Sequence, residues 1–414
     1  MNLIKTSFYT SISTAITFLS GFILIKVIAI KIGPAGVAQL GQFQNTTALF
    51  TLAGTASITV GVTKYLAQFK EDVYKRQQVI TTAITTVIIS SLFTGIIVII
   101  LSRFLSIKAF HSPDYWKVYV LFGSFLILIS LNLLSSSILN GIKEIKKLTI
   151  VNTSGALLGI IFTVSFANIL GVTGVLIAAN FTALTLFVIN LIVFQRIHGL
   201  SIYPSLKHFN KPILLLLLSY TLMNVVSGAL SPVSQLFVRD YIIKHLSITQ
   251  AGYWQAMTRI SDYYLLFITT ILGVYYLPTL SSLKENHEIK KEIIRGYKIV
   301  LPIVGCLAIG MFLCRAIIIK LVFTDSFTPM KELFLFQLLG DFFKIGSWLL
   351  AYLMLAKAMI KTFIITEVVF TISLIIFTRL FLNNFGLIGS SYAFALNYLL
   401  YWIMMIMVMR KYLF

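Results

Sequence analysis

The sequence predicts an all-α polytopic membrane protein, with twelve transmembrane helices in two six-helix lobes related by a pseudo-twofold axis along the membrane normal. Three observations predict it. Apolar runs of 20 or more residues recur along the chain, and only 11% of residues are charged while 58% are hydrophobic. In addition, several short signatures reappear about 215 residues apart. A soluble core needs far less apolar sequence than this.

The expected spans are 8–32, 36–67, 78–101, 115–140, 149–170, 172–195, 212–238, 251–278, 294–314, 332–356, 362–382 and 388–409. They show no period-2 alternation and run to about twice the length of a barrel strand, so helices are the spanning structure that satisfies the backbone, and an outer-membrane barrel is excluded. The first span is too long for a signal-peptide core and lacks a small-residue cleavage pattern, so it is read as a retained helix. Cys306 and Cys314 lie on one expected helix, roughly 12 Å apart at 1.5 Å per residue, too far to bridge, and are read as packing residues.

Basic residues orient the chain. Even-numbered connections carry Lys70, Lys75 and Arg76, then Lys143, Lys146 and Lys147, then Lys207 and Lys211, and the later loops continue the pattern. Of the 33 basic residues, 20 fall on that side and 10 on the other, where Arg239 is counted, while Lys26, Arg259 and Lys344 sit inside spans. Short loops obey the positive-inside rule, so both termini are expected in the cytoplasm and the protein in a bacterial inner membrane. The net charge of +20 is split among small loops around apolar spans. That distribution does not read as nucleic-acid binding. The five histidines lack any paired metal-ligand spacing, and no metal or cofactor is expected.

The repeat is read from matched positions. Ala35-Gly36-x-x-Gln39 recurs as Ala251-Gly252-x-x-Gln255 at an offset of 216, and Phe69-Lys70-Glu71 as Leu283-Lys284-Glu285 at 214. Gly171-x-x-Gly174-x-x-x-Ala178 recurs as Gly386-x-x-Gly389-x-x-x-Ala393 at 215. Six spans per half is an even number, so the halves insert in the same sense, an architecture used by alternating-access transporters. The expected organisation is an N-terminal lobe over 1–197, a cytoplasmic linker over 198–211 with Gly199 and Pro204 as hinge candidates, and a C-terminal lobe over 212–414.

Charges at membrane depth cost several kcal/mol unless paired or hydrated. Arg259 and Asp262 are three apart on span 8, and Asp341 and Lys344 three apart on span 10, so each pair can close within its own helix or face a cavity. Lys26 on span 1 has no carboxylate within a helical turn; it requires a hydrated cavity, a partner on another span, an anionic ligand or a path to snorkel. Lys64 lies near the cytoplasmic end of span 2. Glu367 enters span 11 and serves either as a protonatable group or as a satisfied polar contact. Every intramembrane carboxylate is in the second half, so Asp262, Asp341 and Glu367 are the candidates for coupling to a proton or sodium gradient. On span 2, Gln39, Gln42, Gln44, Asn45, Thr46 and Thr47 form a polar run that fits either a hydrated wall or interhelical polar packing.

Several stretches carry a family resemblance: Gly33-Pro34-Ala35-Gly36, Val62-Thr63-Lys64-Tyr65, Trp254-Gln255, Ile260-Ser261-Asp262, Leu277-Pro278-Thr279-Leu280-Ser281, Lys298-x-Val300-Leu301-Pro302, and Phe327-Thr328-x-Met330 through Gln337-x-x-Gly340-Asp341-x-x-Lys344. In order and spacing they resemble the Wzx-type flippases of lipid-linked oligosaccharides, in the O-antigen and enterobacterial common antigen lipid III class of the multidrug/oligosaccharidyl-lipid/polysaccharide exporter superfamily. The resemblance implies that an undecaprenyl-diphosphate-linked oligosaccharide passes from the cytoplasmic to the periplasmic leaflet by alternating access, with the polyprenyl tail left in the bilayer. It implies diphosphate contacts from Lys26, Lys64, Arg259 and Lys344 and sugar contacts from Tyr9, Gln42, Gln44, Asn45 and Trp254. Of these, Arg259 departs from the pattern associated with the common-antigen members. Further partners on this reading are a polymerase and a chain-length regulator of the same pathway.

Two other classes compete. An antiporter of drugs or cations would share the superfamily fold but would line its cavity with net negative charge, whereas the first half is purely basic at membrane depth. A membrane-embedded polysaccharide polymerase would need a sizeable extracytoplasmic loop, yet the longest such segments, 102–114 and 315–331, are only about 15 residues. No catalytic constellation is visible, so the chain is not read as an enzyme.

Overall fold

A computed structural model describes residues 3–195, 209–219, 221–357 and 359–413, without the side chains of 3–13, 271 and 274. Most of the 198–211 linker, with Gly199 and Pro204, lies outside the described residues. All described regular structure is helical. In chain order the helices are α1 (Leu3–Gly54), α2 (Thr59–Gln68), α3 (Val73–Ile100), α4 (Ser102–Phe110), α5 (Trp116–Gly141), α6 (Ile145–Gln195), α7 (Lys211–Leu218) and α8 (Thr221–His245). There follow α9 (Ile248–Ile271), a π-helical turn over Leu272–Tyr276, α10 (Leu277–Ser282), α11 (Asn286–Leu313), α12 (Arg315–Val322) and a 3₁₀ segment over Asp325–Leu333. The chain ends with α13 (Phe334–Ala356), α14 (Ile360–Phe385), α15 (Ile388–Val408) and α16 (Arg410–Leu413).

Among the described residues, nine helices are long and apolar enough to cross a membrane. The difference from the expected twelve has local causes. Spans 1 and 2 run together as α1 and spans 5 and 6 as α6, each bent at one glycine: Gly33 at φ 62° and Gly171 at φ 57°. A left-handed φ is open to glycine because it has no Cβ to clash. The helix over expected span 8, α9, is not one of the nine. Its polar residues include Gln255, Thr258, Arg259, Ser261 and Asp262.

Span 2 is interrupted where no sequence signal marks it. Between α1 and α2 the chain leaves the helix at Thr55–Ile58, with Ala56 at φ 48° and Ser57 at φ 53°. A side chain in that conformation costs roughly 1–2 kcal/mol. The freed backbone groups are taken up locally: Ser57 N–H and Oγ both donate to the Leu52 carbonyl, at 3.1 and 3.0 Å. Neighbouring α8 supplies the rest, with Thr221 Oγ1 donating to Ala56 O at 3.1 Å and Asn224 Nδ2 to Ser57 O at 2.8 Å.

Caps fix several helix starts. Asp72 accepts from Lys75 N–H at 2.9 Å, and this bond holds its carboxyl below the usual carboxylate range. Asn210 accepts from Ile213 N–H at 3.1 Å with Pro212 in the first turn, and Ser247 accepts from Gln250 N–H at 3.1 Å. Each satisfies one of the amides a helix start leaves open.

The helices group into two compact units, Met1–Ile32 with Gln39–Pro232, and Gly33–Ala38 with Val233–Phe414. The core of the first is built on Val79, Ile80, Leu134 and Ile138, that of the second on Ile293, Leu349, Leu350 and Met405. Large apolar side chains also point outward: Ile100 is 74% exposed, Ile169 75% and Leu313 71%. Apolar exposure on this scale matches a hydrocarbon surround, where burial from water does not require burial in protein. Cys306 and Cys314 are free and exposed, so the packing role read from their positions is corrected.

The two glycine signatures fold alike. Gly386 sits at φ 61°, as Gly171 does at 57°. A Cβ on Gly174 would lie 2.0 Å from Phe166 O, and one on Gly389 would lie 2.2 Å from Phe381 O. Phe166 and Phe381 are themselves 215 positions apart. In each half a glycine at positive φ bends the chain, and the helical segment that follows starts against the carbonyl of a phenylalanine near the end of the preceding one.

Candidate functional site

The polar groups at membrane depth in the second unit converge from four helices. On α9 stand Arg259, Ser261, Asp262 and Tyr264; on α13, Gln337, Asp341 and Lys344; on α14, Glu367; on α15, Tyr398 and Tyr401. The helical period places Gln337, Asp341 and Lys344 on one face of α13.

Asp341 is fully buried, at 0% exposure. Its Oδ2 accepts from Ser261 Oγ at 2.7 Å and from Tyr264 OH at 2.9 Å, and Gln337 Nε2 donates to Ser261 Oγ at 3.2 Å. These hydrogen bonds of Asp341 cross to α9, and the intrahelical Asp341–Lys344 closure that the spacing allows is not among them. Its other oxygen, Oδ1, is buried without a hydrogen-bond partner among the described residues.

Lys344 is half-buried and enclosed by aromatic faces. Its Nζ lies 4.9 Å from the Trp348 ring centroid, 5.4 Å from Tyr398 and 5.8 Å from Phe394. Asp262, Asp341 and Glu367 are all within electrostatic reach of it. Asp262 is exposed and also feels Arg259. Glu367 is half-buried and accepts from Tyr401 OH at 2.8 Å through Oε1. Two cations and three carboxylates therefore share one region with several phenols. Such a set can meet an anionic group through its cations and hold or release a proton or cation through its carboxylates.

Arg239 is the residue that the loop-charge count misplaced. It is fully buried, donates through Nε to Gln255 Oε1 at 3.0 Å and again through Nη2, and its guanidinium carbon stands 5.4 Å over the Trp254 ring. Trp254, named as a sugar contact, is 9% exposed and forms the floor beneath that guanidinium. Tyr264, Gln337, Tyr398 and Tyr401 are site residues beyond those the sequence predicts. Gln337, four before Asp341, was the one with a usable positional signal.

The remaining candidates lie in the first unit. Lys26 is half-buried on α1, and Lys64 is exposed on α2 with its Nζ 5.2 Å from the Tyr65 ring. Gln42 is buried, Asn45 half-buried and Gln44 exposed. Of these three, Gln44 lines a cavity. The Tyr9 side chain lies outside the described residues.

Known proteins resemble this chain over nearly its whole length. The chain is 30% identical over 404 residues to the lipid III flippase of Escherichia coli K12, covering 97% of this chain and 96% of that protein, and equally to the lipid III flippase of Shigella flexneri. Among solved structures it resembles an inward-facing multidrug resistance MATE family transporter of the MOP superfamily, with a TM-score of 0.78, 16% identity and coverage of 97% and 94% of the two chains. It also resembles the lipid II flippase MurJ in an inward closed conformation, with a TM-score of 0.75, 14% identity and coverage of 98% and 87%. These two share the fold of this chain. Residues 37–332 match the family described as polysaccharide biosynthesis protein, and the chain, a multi-pass helical membrane protein, belongs to it.

Proposed function

We propose that this protein is a flippase that carries an undecaprenyl-diphosphate-linked oligosaccharide from the cytoplasmic to the periplasmic leaflet of a bacterial inner membrane, with both termini cytoplasmic. The observation that carries the reading is Lys344: an ammonium at membrane depth, enclosed by three aromatic rings and surrounded by Asp262, Asp341 and Glu367. A diphosphate offers the charge such a cation lacks when the carboxylates are neutral or otherwise engaged. Similarity to lipid III flippases over nearly the whole chain supports the same cargo class.

On this reading Lys344 and Arg259 receive the diphosphate, Lys26 and Lys64 guide it within the first lobe, and the polyprenyl tail stays in lipid. Asp262, Asp341 and Glu367 take up and release the coupling proton or sodium ion. Residues 1–197 and 212–414 act as lobes joined through 198–211. Flipped units pass to a polymerase and a chain-length regulator of the same pathway.

The test is depletion of the protein in its host followed by mass spectrometry of the lipid fraction. The expected result is accumulation of one undecaprenyl-diphosphate-linked oligosaccharide in the cytoplasmic leaflet. Normal turnover of every lipid-linked oligosaccharide would overturn the reading.

A further inference from the structure

The first unit holds a cavity of about 630 Å³ whose lining, among the described residues, contains no charged side chain and no aromatic ring. Ligand pockets commonly measure about 300–1,000 Å³. Its wall is a hydroxyl ladder: Thr47, Thr51, Thr55, Thr59 and Thr63 all line it, four residues apart in the sequence. The lining also includes amides from three other helices, Asn140 on α5, Asn152 on α6 and Asn224 on α8.

The ladder's hydrogen bonding is polarised. Thr47 Oγ1 donates to Phe43 O at 2.9 Å, Thr55 Oγ1 to Leu52 O at 3.0 Å, and Thr63 Oγ1 to Thr59 O at 3.2 Å. A hydroxyl that spends its proton on the backbone keeps two lone pairs to offer. Toward the cavity these threonines are therefore acceptors, complementary to a ligand rich in O–H and N–H donors. The amides supply donors and acceptors to match.

The cavity also lies at the interruption of span 2: Thr55, which opens the non-helical turn, and Thr59, which follows it, both line it, as does Asn224, which binds the Ser57 carbonyl. Interrupted helices are where transporters place substrate sites, because loosened backbone is tolerated only next to protein or water.

We infer that this cavity is the saccharide site of the transporter, and that it takes an uncharged sugar unit, such as neutral hexoses or N-acetylhexosamines, in preference to an acidic one. A uronate brought here would lose water without gaining a cation from the described lining, a cost that a hydroxyl-bearing ring avoids. The inference rests on the flippase reading and adds the class of its sugar.

The test uses the full-length protein in nanodiscs and three probes: a short-chain polyprenyl diphosphate, the same lipid bearing N-acetylglucosamine, and the same lipid bearing glucuronic acid. The N-acetylglucosamine lipid is expected to bind about tenfold tighter than the bare diphosphate, as a few neutral hydrogen bonds allow, and tighter than the glucuronic acid lipid. The isosteric pair Thr51→Val with Thr59→Val, checked for an unchanged melting temperature, is expected to remove that advantage and leave bare-diphosphate affinity as it was. Gln44→Leu, at an exposed position, gives a second variant should the pair fail to fold. Equal affinity for bare and sugar-bearing lipids, a preference for the glucuronic acid lipid, or an advantage that survives the variants overturns the saccharide site and leaves the flippase standing. Failure of all three lipids to bind overturns the flippase reading as well.

Discussion

Ser261 donates its hydroxyl to Oδ2 of Asp341 at 2.7 Å, tying α9 to α13. The bond is part of a chain that runs from Gln337 through Ser261 to the carboxylate, with Tyr264 as its second donor. Oδ1 of the same carboxylate is buried and has no hydrogen-bond partner among the described residues. An open acceptor in that position costs roughly 1–3 kcal/mol, and a proton or bound cation would relieve it.

Asp341→Asn is therefore expected to abolish the dependence of flipping on an imposed ion gradient, while the melting temperature holds or rises because a buried charge has been removed. Proteoliposomes with and without proton and sodium gradients provide the measurement. Gradient dependence equal to wild type would remove Asp341 from the coupling role.

Lys344 makes a separable prediction. Its ring contacts at 4.9–5.8 Å hold the ammonium in place, each contributing on the order of 0.5–2 kcal/mol. Lys344→Met should weaken binding of a polyprenyl diphosphate by about tenfold or more, the loss expected when one charge-assisted hydrogen bond goes. Trp348→Leu should weaken it less, by about fivefold, because the charge stays while its platform is lost. A Trp348→Leu effect as large as that of Lys344→Met would make the ring, rather than the ammonium, the principal contact.

Much of this site was legible because a charge inside an apolar run stands out residue by residue. Arg259, Asp262, Asp341, Lys344 and Glu367 were all visible in that way. Ser261, Tyr264, Tyr398 and Tyr401 were not, since hydroxyls are cheap in helices and their direction depends on which neighbour each helix meets. The bends at Gly33 and Gly171 follow from glycine at positions that need φ above zero. The interruption at 55–58 does not, because its left-handed residues are Ala56 and Ser57 and the groups that stabilise them, Thr221 and Asn224, lie more than 160 positions away. Arg239 falls just past the expected end of span 7 and so counts as a loop charge in the sequence, whereas α8 runs on to His245.

That buried guanidinium gives a stability prediction. Gln255 accepts from both Nε and Nη2 of Arg239, so Gln255→Leu removes the acceptor these two donors share in a dry setting. The cost is about 1–3 kcal/mol. A thermal-shift assay in detergent should show a lower melting temperature for Gln255→Leu, with Gln255→Glu closer to wild type because it keeps the acceptor. A Gln255→Leu protein as stable as wild type would mean that water or another group can replace the amide.

The duplicated glycine turns yield a matched pair of substitutions. Gly174→Ala drives a methyl to within 2.0 Å of Phe166 O, and Gly389→Ala drives one to within 2.2 Å of Phe381 O. Neither carbonyl can step aside without moving the end of its own helix, so each turn must open. Overpacking commonly costs about 1–3 kcal/mol, and a backbone obstacle puts both variants at the upper end. Gly159→Ala is the control: it lies in the same long helix as Gly174, has nothing within 4 Å of its added methyl, and gains helix propensity. The expected outcome is a marked and similar loss of melting temperature for Gly174→Ala and Gly389→Ala, with none for Gly159→Ala. If one of the pair were tolerated and the other not, the two turns would be packed differently despite their shared spacing, and the structural equivalence of the halves at this point would fail.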